Sequence, residues 1–210
     1  NNDVYPIVHH EALEALGAIN SPTTEVLDII NEKLLDINAP IEVKETAHLA
    51  LERIKFFQTK IDKEEGYTSP FKSIDPAPHF MTNDVEFLSE LLYDTSQDLF
   101  DRYRAIFSLR NLQSDEAVNI LGNGFQESSN LFKHEIAYVL GEMGRESAIP
   151  FLEKMLRDSS QHPMVRHESA ESLGSIQSEK ANSILKEFLT DPVQIVRESV
   201  IIALNENEYL

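Results

Sequence analysis

Two histidine-glutamate pairs recur in register, His134-Glu135 within the stretch Leu131 to Gly141 and His167-Glu168 within Met164 to Gly174, with the histidines 33 residues apart. A third pair, His10-Glu11, follows Pro6-Ile7-Val8-His9 and precedes Leu16-Gly17, matching Pro163 to Glu168 and Leu173-Gly174 at a constant offset of 157. A lone histidine reads as an ordinary surface or core residue. Three in-register copies, each beside a carboxylate, read as metal ligands. Imidazole nitrogen and carboxylate oxygen, with coordination positions left over, form the donor set of non-haem Fe(II) centres that activate oxygen, and neighbouring carboxylates can bridge two metals. Zinc or manganese could occupy the same atoms. The chain has no cysteine, so thiolate sites, disulfides and cysteine nucleophiles drop out together.

The spacing also says what must hold these residues. A repeat of 33 residues accommodates one pair of short antiparallel helices, so the pairs belong on neighbouring units of a helical solenoid. The longer offset makes two similar halves. Each helical residue advances about 100°. With His134 at zero, Ile136, Val139, Leu140 and Met143 fall at roughly 140° to 240°, the core-facing stripe, while Glu135 and Tyr138 stay within about 100° of the histidine. His167, Glu168 and Glu171 repeat that arrangement against Val165, Ser169, Leu173 and Ile176, so the pairs face the inner surface and the apolar residues pack on outer helices.

Taken in order, residues 6–16 form an inner helix with Pro6 in its first turn and Gly17 as its stop. An outer helix over 23–36 and an inner helix over 41–56 follow. In the latter, Val43-Lys44-Glu45-Thr46-Ala47 takes the place of Val8 to Ala12 without the His-Glu pair. Periodicity fails over residues 57–83, where Gly66, Pro70, Pro76 and Pro78 break regular structure, giving a linker that is a functional crossover or partly disordered. The second half alternates outer helices at 85–92, 114–121, 146–156 and 178–189 with inner helices at 100–109, 131–140, 163–173 and 193–204. Only its middle two inner helices carry the pair; Tyr103-Arg104 and Glu198-Ser199 stand in that position in the first and last. The expected organisation is the remainder of an N-terminal half at 1–56, the linker, and a C-terminal half of four repeats at 84–210. Overlaying the halves puts a fourth His-Glu pair about one repeat upstream of His10, beyond Asn1. With no initiator methionine, the sequence reads as a fragment.

Lys plus Arg is 18 and Asp plus Glu is 36, a formal net charge of −18. Such a protein repels phosphate backbones and anionic membranes, so nucleic acid and membrane partners are excluded and a cationic partner is favoured. No apolar run approaches the roughly 20 residues of a membrane span, and no signal peptide precedes the first repeat, which gives a cytoplasmic expectation. No Gly-rich nucleotide-binding motif occurs. His48, His79 and His162 have no partner in register and read as surface residues, and His9 projects about 100° away from His10.

The run Phe132 to Gly141, the run Pro163 to Glu168, the linker Ser73-Ile74-Asp75-Pro76-Ala77-Pro78 and Arg102-Tyr103-Arg104-Ala105 resemble the deoxyhypusine hydroxylase family essentially from end to end. The resemblance implies an all-α, HEAT-like α-solenoid of helical hairpins in two pseudo-symmetric halves, with two Fe(II) ions per complete enzyme. It implies O2-dependent hydroxylation of the deoxyhypusine residue of translation initiation factor five-A, completing hypusine. By the same resemblance His134, His167 and Glu168 hold one iron, His10 and Glu11 contribute to the other, and Glu135 contacts the substrate amine. His9 stands where the family has arginine. The competing expectation is a non-enzymatic scaffold or a repeat protein like the bilin lyases, but a pair required for packing would recur in every repeat.

Overall fold

A computed structural model of the protein describes residues 5–59 and 69–208. Asn1 to Asp3 and the part of the linker around Gly66 lie outside the described residues. Regular structure among the described residues is entirely helical: α1 (Tyr5–Ile19), α2 (Thr24–Leu35), α3 (Ile41–Gln58), α4 (Val85–Tyr93), α5 (Leu99–Leu112), α6 (Asp115–Asn123), α7 (Asn130–Met143), α8 (Ile149–Arg157), α9 (Pro163–Ile176), α10 (Glu179–Lys186) and α11 (Gln194–Glu208). None of these is long and apolar enough to cross a membrane. The helices gather into two compact units, Asn1–Asn111 and Leu112–Leu210. That division by packing falls one hairpin later than the division by sequence repeat, because the linker and the α4–α5 hairpin fold with the first unit.

Outer and inner helices differ for a reason legible in their composition. Outer helices have one apolar stripe, and α2, α4, α6 and α10 start on a side-chain cap. Ser114 and Ser178 accept from the backbone N–H of Ala117 and Ala181, and Asp84 from that of Phe87, each satisfying a donor that the first helical turn leaves unpaired. In α8 the buried residues are Ile149, Leu152, Met155 and Leu156, the other face being polar. Inner helices are covered on several sides at once. In the second unit α9 packs against α7, α8, α10 and α11, so Arg166, His167 and Glu168 are buried together with Met164, Val165 and Leu173.

The Leu-Gly signature sets how closely inner helices approach. The expectation that Gly17 stops the first helix is wrong, since α1 continues to Ile19. A Cβ on Gly17 would lie 3.0 Å from Ala50 Cα, one on Gly141 would lie 2.8 Å from Ser172 Cα, and one on Gly174 would lie 2.6 Å from Ala203 Cβ. In every case the glycine lets one inner helix press on a small residue of the next. The backbone turns three residues later, at Asn20, Gly144 and Gln177, all left-handed with φ of 52°, 62° and 54°, as does Gln113 after α5. Gly141→Ala would drive a methyl group into the backbone of α9 and should cost about 1–3 kcal/mol, as overpacking does. A urea titration showing wild-type stability would contradict this.

The linker's described part is held by arginines. Arg110, wholly buried, donates to both carboxylate oxygens of Asp75 at 2.8 and 2.7 Å and to the hydroxyls of Ser73 and Ser69 at 3.1 and 2.9 Å. Arg53 donates to the Asp75 carbonyl and Arg104 to that of Pro78. Ala77 between them has no exposed surface. A non-helical segment must satisfy its backbone groups somewhere; here guanidinium groups of α3 and α5 do it.

Candidate metal centre

His134 lies in the second turn of α7, and His167 and Glu168 lie at the matching place in α9. The Gly141–Ser172 contact holds these two helices close, and Ser172 donates to the Ala137 carbonyl at 2.7 Å. The His134 and His167 rings consequently sit 5.5 Å apart, centroid to centroid, tilted by 45°. His134 Nε2 is 3.3 Å from Glu168 Oε2. One ligand atom from each of His134, His167 and Glu168 falls within 4.8 Å of the others, a separation that a single cation bridges.

The surroundings suit a metal. All three residues are buried. Burial, followed by the neighbouring His167, lowers the His134 pKa to about 3, so its imidazole is neutral. Burial also pushes the Glu168 carboxyl up to about 7, against the pull of His167. Desolvation favours the uncharged form of each, and only a cation would make the ionised carboxylate comfortable there. Glu171 behaves differently. Burial would raise it, but hydrogen bonds from His167 and from Ser199 hold it below the usual carboxylate range. Two imidazoles, that of His134 neutral, and one carboxylate thus fit Fe(II) or a similar divalent ion.

A pH dependence follows. The Glu168 proton must leave when a metal binds, whereas His134 carries none to lose near neutrality. Metal affinity should fall as pH drops below about 7, by at least about tenfold per pH unit, the slope of the Glu168 proton alone. Calorimetry of metal uptake in buffers of different ionisation enthalpy reads that proton number directly; a value of zero contradicts the assignment.

The remaining expected site residues lie as follows. Glu135 is buried beside His134 on α7. In the first unit, His10 of α1 is buried, its Nδ1 2.9 Å from Thr46 Oγ1 of α3 and its Nε2 3.3 Å from Glu14 Oε2, while Glu11 is exposed. His48 pairs with Asp98 at 3.2 Å. His162 has a structural role: its Nδ1 accepts from the Met164 N–H and caps α9. Sequence reasoning passed over Thr46 and Ser172 and gave Ser199 no role, although Thr46 and Ser199 stand at matching places in repeats that lack the pair.

The fold and the site define the class first: this is a HEAT-repeat protein, and the HEAT-repeat family profile matches residues 85–162 and 133–205. Curated relatives called deoxyhypusine hydroxylase match along nearly all of it. The one from Candida albicans is 44% identical over 214 residues, covering 100% of this chain. Those from Drosophila melanogaster and Homo sapiens are 43% and 44% identical, covering 97% of it. The chain spans 66% of the length of each of these relatives. The solved structure of human deoxyhypusine hydroxylase in complex with glycerol superposes with a TM-score of 0.90 at 43% identity, covering 98% of this chain and 69% of that one. The chain belongs to the deoxyhypusine hydroxylase family.

Proposed function

We propose that these two units carry iron-binding and substrate-binding residues for the O2-dependent hydroxylation of deoxyhypusine to hypusine in translation initiation factor five-A. The observation that carries this reading is the convergence of the His134 and His167 imidazoles with the Glu168 carboxylate, in a protein of this family. His134, His167 and Glu168 hold one Fe(II), and His10 and Glu11 contribute to a second. Bound iron supplies the redox chemistry that activates O2. In the overall balance one oxygen atom converts a C–H bond of the substrate's arm to C–OH. The other leaves as water, with two electrons from an external reductant and two protons.

The protein's own groups do the rest. Glu135 accepts hydrogen bonds from the cationic amine of the deoxyhypusine arm and fixes which C–H bond is presented, since a buried carboxylate seeks a cation. The net charge of −18 draws that cationic arm in. Burial of His134, His167 and Glu168 limits the water that would compete with the substrate.

Because the second iron needs the expected upstream His-Glu pair as well as His10 and Glu11, the 210 residues alone should lack full activity. The test therefore supplies a protein that carries that upstream repeat together with these 210 residues with Fe(II), a reductant, isotopically labelled O2 and the factor bearing deoxyhypusine. The expected product gains one labelled oxygen atom on that arm. Glu135→Gln should keep its iron and lose turnover. An iron-loaded wild-type protein that leaves the substrate unchanged would sink the proposal.

A further inference from the structure

Two of the three inner helices that lack a His-Glu pair, α3 and α11, carry a hydroxyl at the place of its glutamate. Glu45-Thr46 in α3 and Glu198-Ser199 in α11 occupy the same register, each following a Val and a basic residue as Val43-Lys44 and Val196-Arg197. Each hydroxyl reaches back to the histidine side of the preceding inner helix, within one unit. Thr46 donates its proton to the Glu42 carbonyl at 2.8 Å. Its oxygen therefore has only lone pairs to offer His10 Nδ1 at 2.9 Å, which makes that nitrogen the donor. Ser199 donates to Glu171 Oε1 at 2.6 Å, and the same oxygen lies 3.5 Å from His167 Nδ1. Both hydroxyls are buried, while Glu171, which links Ser199 to His167, is itself exposed.

A neutral imidazole has one N–H. A partner that accepts from Nδ1 leaves the lone pair on Nε2, and this outer contact selects which nitrogen can bind a metal. We infer that Thr46, and Ser199 acting through Glu171, are positioning residues that hold His10 and His167 as Nδ1–H tautomers and so present Nε2 as the ligand atom; in His10 that lone pair faces Glu14 Oε2 at 3.3 Å, a contact that a cation between the two would relieve. The ligand part of this rests on the metal-binding reading above; the tautomer part does not. Conversely, His134 has Tyr138 where His167 has Glu171, so its α7 neighbour four residues on offers no carboxylate for the same lock.

The experiment records long-range 1H–15N correlations of the histidines in the metal-free, 15N-labelled protein at mildly alkaline pH, then titrates Co(II) as a coloured probe. His10 and His167 should both be Nδ1–H tautomers. Thr46→Val should release His10 and Glu171→Ala should release His167 toward the Nε2–H form. Thr46→Ser and Glu171→Gln, which keep an acceptor, should restore the wild-type pattern. Glu171→Ala should weaken Co(II) binding about 10- to 100-fold, the usual cost of an outer partner. Wild-type histidines found as Nε2–H, or tautomers unmoved by Thr46→Val and Glu171→Ala, would overturn the inference. Expected tautomers in a wild-type protein that binds no Co(II) would support the lock and overturn the metal reading instead.

Discussion

A His167→Ala variant is expected to lose the metal of the second unit outright. The site draws on three side chains from two adjacent helices, His134 from α7 and His167 and Glu168 from α9. Removing one imidazole leaves a single His-Glu contact, His134 Nε2 to Glu168 Oε2 at 3.3 Å, which is too few donors for a tightly held divalent ion. The loss should exceed the roughly 100-fold upper end seen for outer-shell partners. The fold should survive, because the deleted ring faces the ligand cluster while Val165, Leu173 and Ile176 keep α9 in the core. Iron per protein molecule after gel filtration, read beside the circular dichroism of the same sample, checks both halves of the expectation. A folded variant with wild-type iron would place the metal elsewhere.

Much of the fold was legible because repetition magnifies weak signals. One amphipathic helix predicts little, but matching Leu-Gly runs 33 residues apart gave the inner helices and their partners. The ends were misread for a specific physical reason. Glycine commonly ends a helix by adopting a left-handed conformation, whereas Gly17, Gly141 and Gly174 serve close packing instead. The left-handed position falls three residues on, twice on Asn20 and Gln177, where nothing in composition marks it. A glycine followed at a fixed distance by Asn, Gly or Gln in three repeats was the available signal.

The site was legible as a set of residues and less so as an environment. Angular position put His134 opposite the apolar stripe, a place that in a single helix would be solvated. It is 5% exposed, because an inner helix is covered on more than one side. That burial is what separates the pKa values of His134 and Glu168 from their ordinary ranges, and no pattern within one helix encodes it. Glu171 was visible on the same helical side as His167, but its fixing by Ser199 needs α11 in place.

The largest stability effect should come from outside the site, at Arg110. Its guanidinium has no exposed surface, is shared between Asp75, Ser69, Ser73 and Asn111, and lies over the rings of Phe71 and Phe107 at 4.4 and 4.8 Å. Arg110→Ala would strand the Asp75 carboxylate, its side group itself only 9% exposed, and leave a void against two aromatic faces. Breaking a buried pair by removing one partner costs about 3–5 kcal/mol, because the remaining charge loses its compensation. Replacing both partners is a different perturbation. Arg110→Met with Asp75→Asn removes the charges together and fills more of the space, so it should recover a substantial part of that loss. Asp75→Asn alone should resemble Arg110→Ala in direction, since it leaves the arginine buried. Urea titrations of the three variants decide the point, and a double variant no more stable than Arg110→Ala would mean that the hydrogen bonds to Ser69 and Ser73, and not the charge pair, hold the 69–84 segment against α5.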